Sequence, residues 1–289
     1  MTTILYVTDL YYKAKDRNYY EEDLFITSRL QPHFNVLIAH PRQAISFLDQ
    51  VNYVVYRNTG CVMDFEAYYH EFRKKVKEKN ILSFNSFDGK ADQMGKQYLL
   101  DLQGSGYAVI PTVADIKDIA NLGDPEKYIV KLMNGADSKG MEILTKEQLL
   151  AAKPQGKLIQ PYIDFQSEVS FYFLNDKFQY ALYAPNKEKR WELTGYEATP
   201  ADLEFAQKFI QWNNMKRGIT RVDACRLRDN SLLLVELEDL NPFLSLELLS
   251  EEKRAYFLST FIDALKEMTR QNEINSAEVP QKIQWEKSN

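Results

Sequence analysis

Apolar positions in the first third of the chain alternate between short β-rich runs and amphipathic stretches. Residues 3–10, 34–38, 51–56 and 81–84 predict strands, while 21–30, 43–48 and 64–79 predict helices. Asp64 reads as the N-cap of the last helix, and Lys74, Lys75, Lys77 and Lys79 suit the negative end of its dipole. Strand and helix in alternation predict a small α/β domain with a mainly parallel sheet. Residues 94–102 read as a further helix, with Gly104-Ser105-Gly106 as its C-cap leading into a strand at 108–110.

The pattern then changes. After a helix near 114–120 comes an apolar strand, 128–133, that carries Lys131. A polar loop, 134–140, separates it from a second strand at 141–144. A lysine inside an apolar run is expensive unless its ammonium reaches water or an anion. The strand, glycine loop and strand predict a hairpin with Lys131 and Lys139 at its mouth, suited to covering phosphates, although any long surface hairpin also uses glycines. A helix at 145–152 and a strand at 157–162 follow. Residues 168–174 and 177–183 predict an antiparallel pair turning at Asn175-Asp176. Pro200 opens a helix with Leu203, Phe205, Phe209 and Trp212 on its face, and Ser250 caps a last helix striped by Phe257, Phe261, Leu265 and Met268.

Between those two helices lies the most chemically loaded stretch, RVDACRLRDNSLLLVELEDLNP from Arg221 to Pro242. With Asp229-Asn230 as a two-residue turn, Arg228 pairs with Ser231, Asp223 with Glu236 and Arg221 with Glu238. Alternation along a strand puts Asp223, Glu236 and Glu238 on one face. The same count places Leu232 and Leu234 with the acids and Leu233, Val235 and Leu237 opposite. Three carboxylates within roughly 4.5–8 Å of one another need bulk water or a cation. A solvated outer face neutralised by Arg221 is the plainer reading. A strand apolar on both sides, however, belongs in a sheet covered on both faces. Acids at its end then line a cleft, where clustered oxygens suit a hard cation such as Mg²⁺.

Composition narrows the field. The chain has 289 residues, long enough for two or three domain-sized cores, with 45% hydrophobic and 27% charged residues. A net charge of −5 argues against non-specific nucleic-acid binding. Cys61 and Cys225 form no CxxC pair, and His33, His40 and His70 have no metal spacing. Neither a secretory leader nor a membrane-length apolar run is present, so the expectation is a cytoplasmic protein that binds no membrane. Tyr11-Tyr12, Tyr19-Tyr20 and Tyr68-Tyr69 read mainly as half-buried packing and leave a homodimer surface open. No GxGxxG follows the first strand, and no GxxxxGK[ST] occurs. Boundaries fall near Thr112 and the Pro154-Gly156 turn, giving an α/β domain at 1–111, a small lysine-bearing unit at 112–155, a mostly antiparallel unit with the acids at 156–275 and a polar tail at 276–289.

The order of KYIVKLMNGADSKGMEIL, LIQPYIDFQSEVSF and RVDACRLRDNSLLLVELEDLNP resembles the ATP-grasp superfamily, nearest to glutathione-synthetase-like and D-alanine–D-alanine-ligase-like carboxylate–amine ligases. The resemblance runs from about Pro111 to Leu249, and 1–111 fits the pre-ATP-grasp domain. It implies that Lys131 contacts nucleotide phosphates under a lid containing Ser138, Lys139 and Gly140. It implies further that Gln160, Pro161, Tyr162 and Ile163 form the adenine hinge and that Glu168 binds the ribose. Asp223, Glu236 and Glu238 become Mg²⁺ ligands, and Arg221 stabilises the oxyanion formed on the acyl group. Arg190 is a candidate for a phosphate or a substrate carboxylate, and Lys117 for a second nucleotide lysine. The implied cofactors are ATP and Mg²⁺, and the implied reaction joins a small-molecule carboxylate to an amine through an acylphosphate. Two alternatives stay open: a catalytically degenerate ATP-binding regulatory module, and a small-molecule kinase.

Overall fold

A computed structural model describes the chain except for residues 15–16, 58–61, 136–139, 187–188, 190 and 278–289. The elements at the N-terminal end are β1 (Thr3–Val7), a two-stranded ribbon of β2 (Lys13–Ala14) and β3 (Arg17–Asn18), α1 (Tyr20–Leu30), β4 (Asn35–Ala39), β5 (Tyr53–Tyr56), α2 (Glu66–Glu78), β6 (Leu82–Phe84) and α3 (Tyr98–Gly104). Strands β4, β1, β5 and β6 form a parallel sheet in that order. Alternation along β1 divides its side chains between two cores. Ile4 and Tyr6 join Tyr53, Val55 and Phe84 on one side, and Leu5 and Val7 join Val54, Tyr56 and α2's Phe72 on the other. Coverage of both faces explains why these strands read as continuous apolar runs.

Four local expectations change here. The helix predicted at 43–48 is a 3-10 helix, Ala44–Gln50, and so is the one near 114–120, Ile116–Leu122. Asp64 does not cap α2: it lies inside a 3-10 turn, Val62–Phe65, and the cap position falls on Phe65, whose side chain makes no capping bond. A cap needs extended backbone, which the turn denies Asp64. Residues 108–110 form no separate strand. They run along the edge of the strand bearing Glu236, with Val109 bridged in parallel to Leu234.

The lysine-bearing region contains β7 (Tyr128–Leu132), β8 (Glu142–Leu144), α4 (Lys146–Ala152) and β9 (Lys157–Pro161), with sheet order β8-β7-β9. Thr145 caps α4 in a capping box with Gln148. A small core of Val113, Leu122, Tyr128, Val130, Leu149 and Ile159 holds this sheet, so β9 packs with the strand that carries Lys131.

The remainder is an antiparallel sheet, ordered β12-β11-β10-β13-β14, from β10 (Ser167–Leu174), β11 (Lys177–Ala184), β12 (Thr194–Tyr196), β13 (Ile219–Arg226) and β14 (Leu232–Glu238). Helix α5 (Pro200–Asn213) packs on one face of it, with Thr199 and Asp202 forming a capping box at its start. The long α6 (Glu251–Ala277) packs on the other, its Phe257, Phe261, Leu265 and Met268 buried against Tyr180, Leu182 and the parallel sheet. The two large sheets therefore share one core. Asn85, fully buried after β6, fastens them: its amide donates to the carbonyls of Ile219, Asp239 and Leu240 at 2.8, 2.8 and 3.1 Å and accepts from the Ile219 N–H at 2.9 Å.

The β13–β14 hairpin pairs Arg221 with Glu238 and Asp223 with Glu236, as counted from the sequence, but by a different route. The loop has three residues, not two: Leu227 pairs with Ser231, and Asn230 takes φ +67°. That shifts the register by one, and a bulge at Val235 shifts it back. The bulge also corrects the faces. Leu232 and Leu234 lie with Leu237 in the core against Val222 and Ala224, opposite the acids.

Candidate functional site

The bulge leaves Asp223, Glu236 and Glu238 on the exposed side of the hairpin's far end. Each is half-buried, and each offers an oxygen within 4.8 Å of the others, a grouping that among the described residues belongs to these three. Arg221 lies between two of them. Its Nε donates to both Asp223 oxygens at 2.9 and 3.0 Å, and its Nη2 donates to Asp223 at 2.9 Å and to Glu238 at 2.5 Å. Nη1 donates to the Phe243 carbonyl at 3.1 Å, and the guanidinium sits 6.0 Å from the Tyr172 ring centroid. Ser170, directly across on β10, donates its hydroxyl to Asp223 at 2.6 Å. Burial works to lower the Arg221 pKa, but Asp223 and Glu238 outweigh it and hold the guanidinium well above its usual value.

Glu236 is held by a residue the sequence did not single out. The Lys96 ammonium donates to the Glu236 carboxylate, although Lys96 is almost wholly buried and lies 140 residues earlier. Burial pushes the Glu236 carboxyl up, yet Lys96, Lys131 and Arg221 together bring it down to about 2. Lys131 on β7 is thus close enough to act on the acid cluster, which explains a lysine inside an apolar strand.

The turn before Lys96 is built to place it. Gly95 has φ +77° and ψ 179°, backbone reserved in practice for glycine. A Cβ there would come within 2.4 Å of Asn134 Oδ1. The Lys96 N–H donates to the Met133 carbonyl at 2.8 Å. On the other side, Asp239 accepts the N–H groups of Ala91 and Gln93 at 3.0 Å each, and Asp92 accepts those of Asp239 and Leu240 at 2.6 and 3.0 Å. Burial, and then the neighbouring Asp239, raise the Asp92 carboxyl well above its ordinary value. Loop 89–96 is therefore clasped to the end of β14 on one side and to the end of β7 on the other. The only sequence signal was a Gly-Lys pair ahead of an amphipathic helix, which is weak alone. Lys117, the sequence candidate for a second lysine, lies exposed beside Asp115.

The remaining candidates are distributed around this centre. Gly140 closes the β7–β8 loop at φ +66°, where a Cβ would meet Leu132 Cδ1 at 2.7 Å. Ser138, Lys139 and Arg190 lie outside the described residues. Gln160 is fully buried and donates to Thr112 Oγ1 at 2.8 Å. Pro161 is buried opposite Tyr128, Ile163 is half-buried, and Tyr162 is exposed with its N–H donated to the Lys127 carbonyl at 2.8 Å. Glu168 is half-buried at the start of β10, between Ala184 and Cys225. At that same end of the sheet an open cleft of about 550 Å³ is lined by Asp164, Phe165, Gln166, Pro185, Asn186 and Arg228.

The overall fold, a parallel α/β unit with a small three-stranded sheet and a larger antiparallel sheet, is similar to that of several solved structures. D-cycloserine synthetase DcsG matches with a TM-score of 0.71 over 92% of this chain and 99% of its own, at 17% identity. D-alanine–D-alanine ligase from Bacillus anthracis, complexed with ATP, matches at 0.66 over 94% and 100%, at 13% identity. The chain has the ATP-grasp fold. A third ATP-grasp structure, the ligase PsnB complexed with precursor peptide PsnA2 and AMPPNP, matches at 0.62 over 91% of this chain and 97% of its own, at 14% identity. No protein-family model matches the sequence, and no curated protein matches it. Among the described residues of this ATP-grasp fold, no helix is long and apolar enough to cross a membrane.

The donor set fits the groups the fold implies. Three partly buried carboxylates with converging oxygens are hard ligands suited to Mg²⁺. Lys96 and Lys131 supply cations where a polyphosphate would bring negative charge.

Proposed function

We propose that the protein is an ATP- and Mg²⁺-dependent ligase that joins a small-molecule carboxylate to an amine. The observation that carries this reading is the meeting of Asp223, Glu236 and Glu238 with Arg221, Lys96 and Lys131 at one place in an ATP-grasp fold. The structural neighbours add support, since their names include ligases and bound ATP and AMPPNP.

In this reading the three acids hold Mg²⁺, which neutralises phosphate charge when bound. Lys131 steadies the nucleotide phosphates, with Ser138, Lys139 and Gly140 covering them. Gln160, Pro161, Tyr162 and Ile163 line the adenine end; because the Tyr162 N–H is engaged by Lys127, other backbone groups of this hinge would contact the base. Glu168 takes the ribose hydroxyls, and Arg190 a phosphate or a substrate carboxylate. The substrate carboxylate oxygen attacks the γ-phosphorus, the bond to the β-phosphate oxygen breaks, and ADP leaves. The amine then attacks the acyl carbon and phosphate departs. Arg221, already fixed by Asp223, Glu238 and the Phe243 carbonyl, presents its guanidinium toward the oxyanion that forms in this second step.

The test is a screen of carboxylic acids and amino acids for stimulated ADP release, with Asp223→Asn as control. The expected result is release of ADP and phosphate with a new amide, absent from Asp223→Asn. Phosphorylated substrate without an amide would instead establish a kinase. Mg-ATP binding with no turnover on any acid would indicate a binding module, and binding unchanged in Glu236→Gln would overturn the site itself.

A further inference from the structure

Two cations neutralise the acid cluster, and they are held very differently. Arg221 is fixed from several directions, by Asp223, Glu238, the Phe243 carbonyl and the face of Tyr172. Among the described residues, the Lys96 ammonium has one hydrogen-bonded side-chain partner, Glu236 Oε1, at the end of a four-carbon stem. Its backbone, by contrast, is fixed through its N–H to Met133 and through Gly95 against Asn134. The root is thus held by the main chain, and the ammonium by the Glu236 carboxylate. A divalent cation approaching Asp223, Glu236 and Glu238 needs an oxygen of Glu236, and that carboxylate already carries an ammonium.

We propose that Lys96 is a competing cation for the metal site, occupying Glu236 until a divalent ion and an anionic nucleotide arrive together and exchange it onto the anion. This rests on the Mg²⁺ site proposed above. The reason is charge balance. The three acids are matched by Arg221 and Lys96, with Lys131 nearby. Adding a divalent ion alone leaves a surplus of positive charge in a partly desolvated site, and it costs Lys96 its partner while Lys96 is too buried to be well hydrated. A polyphosphate delivered with the metal removes both penalties. The metal therefore binds poorly alone and well with nucleotide, and the coupling between the two ligands is a property of Lys96.

The experiment measures Mn²⁺ binding to the full chain by calorimetry, with and without AMPPNP. Wild type is expected to bind Mn²⁺ weakly alone and much more tightly with AMPPNP. Lys96→Met should bind Mn²⁺ alone at least about tenfold more tightly than wild type, and AMPPNP should enhance that affinity several-fold less. Lys96→Arg, which keeps the charge, should behave like wild type, a contrast that a general loosening of the fold would not produce. Should Lys96→Met fail to fold, Lys96→Gln carries the same expectation. If wild type binds Mn²⁺ with AMPPNP and the folded neutral variants bind Mn²⁺ alone no more tightly than it does, the exchange is wrong and the metal site stands. If wild type binds no Mn²⁺ even with AMPPNP, the metal site falls and the exchange with it.

Discussion

Glu22, in the first helix, holds the main chain of Leu244, 222 residues later: its carboxylate accepts the Leu244 N–H at 2.9 Å and the Leu246 N–H at 3.0 Å. The segment it grips follows the acidic hairpin directly, and it is gripped elsewhere too. Tyr19 stacks on Phe243 at 4.2 Å between centroids, Tyr180 donates to the Leu244 carbonyl at 2.8 Å, and Arg221 donates to that of Phe243. The N-terminal unit thus positions the oxygens around Arg221, which ties the parallel sheet to the candidate chemistry instead of leaving it as an appended domain.

The same grip makes stability depend on pH. Glu22 and Asp23 flank the fully buried Arg57 at 3.7 Å each, so one guanidinium serves two carboxylates. Burial pushes Glu22 from 4.5 up to about 8, against the pull of Arg57 and the two backbone donors, and Asp23 is raised for the same first reason. Between those values the folded protein keeps a proton that the unfolded chain gives up. Raising the pH through this window therefore favours unfolding, by at most about 1.4 kcal/mol per pH unit for one group. Urea midpoints should fall from about pH 5 to about pH 8. Glu22→Gln, neutral but similar in shape, should reduce that slope, with Asp23 contributing to what is left; an unchanged slope would assign it elsewhere.

Gly95 offers a test of how Lys96 is placed. Its backbone lies in a region costing a non-glycine residue about 1–3 kcal/mol. An added Cβ would also press on Asn134 Oδ1 at 2.4 Å and on the Met133 carbonyl at 3.3 Å. Gly95→Ala should lower both thermal stability and affinity for a nucleotide analogue. Asn134→Ala in the same chain should recover only part of the loss, because it relieves the contact and not the dihedral. Full recovery would show that crowding alone was at stake.

The acidic pairing was legible in the sequence because two departures offset each other. A three-residue loop moved the register by one, and the bulge at Val235 moved it back, so Asp223 still faces Glu236. What the two-residue turn hid was the inward face of Leu232 and Leu234, since strict alternation cannot anticipate an inserted residue. The parallel sheet was legible from its continuous apolar runs. Lys96, and the buried trio of Glu22, Asp23 and Arg57, were not. Their roles come from contacts between distant segments, and a lysine after a glycine or two acids in a first helical turn look like ordinary surface residues. Asp64 fails as a cap for the opposite reason, a good local signal overridden by the turn it sits in.

Tyr98 supports the hairpin from its open edge. Its hydroxyl accepts the N–H of Leu237, the residue between Glu236 and Glu238, at 2.9 Å, while Ala108 and Ile110 bond to Leu234 further along. Tyr98→Phe leaves a buried N–H without its acceptor at an unchanged packing shape, which costs about 1–3 kcal/mol. Urea denaturation should register that loss, and a divalent-ion titration should show weaker binding, since the backbone between two acids is freed. A loss of stability with metal binding unaltered would confine Tyr98 to a structural role.

Arg221 distinguishes a neutralising partner from a bystander. Its Nη2 bridges Asp223 and Glu238, whose side chains are 17% and 20% exposed, and its own is 17% exposed. Removing one member of a fully dry ion pair costs about 3–5 kcal/mol, and partial exposure reduces this to about 2 kcal/mol. Arg221→Met should therefore lower the melting temperature in the absence of divalent ions. A divalent ion binding the same two carboxylates would restore the missing positive charge, so Mg²⁺ should raise the melting temperature of Arg221→Met more than that of wild type. Arg221→Lys keeps a charge but loses the planar fork that reaches Asp223, Glu238 and the Phe243 carbonyl together, and it should fall between the two. Equal shifts with Mg²⁺ in all three proteins would mean that the ion binds away from Asp223 and Glu238, and would remove these acids as its ligands.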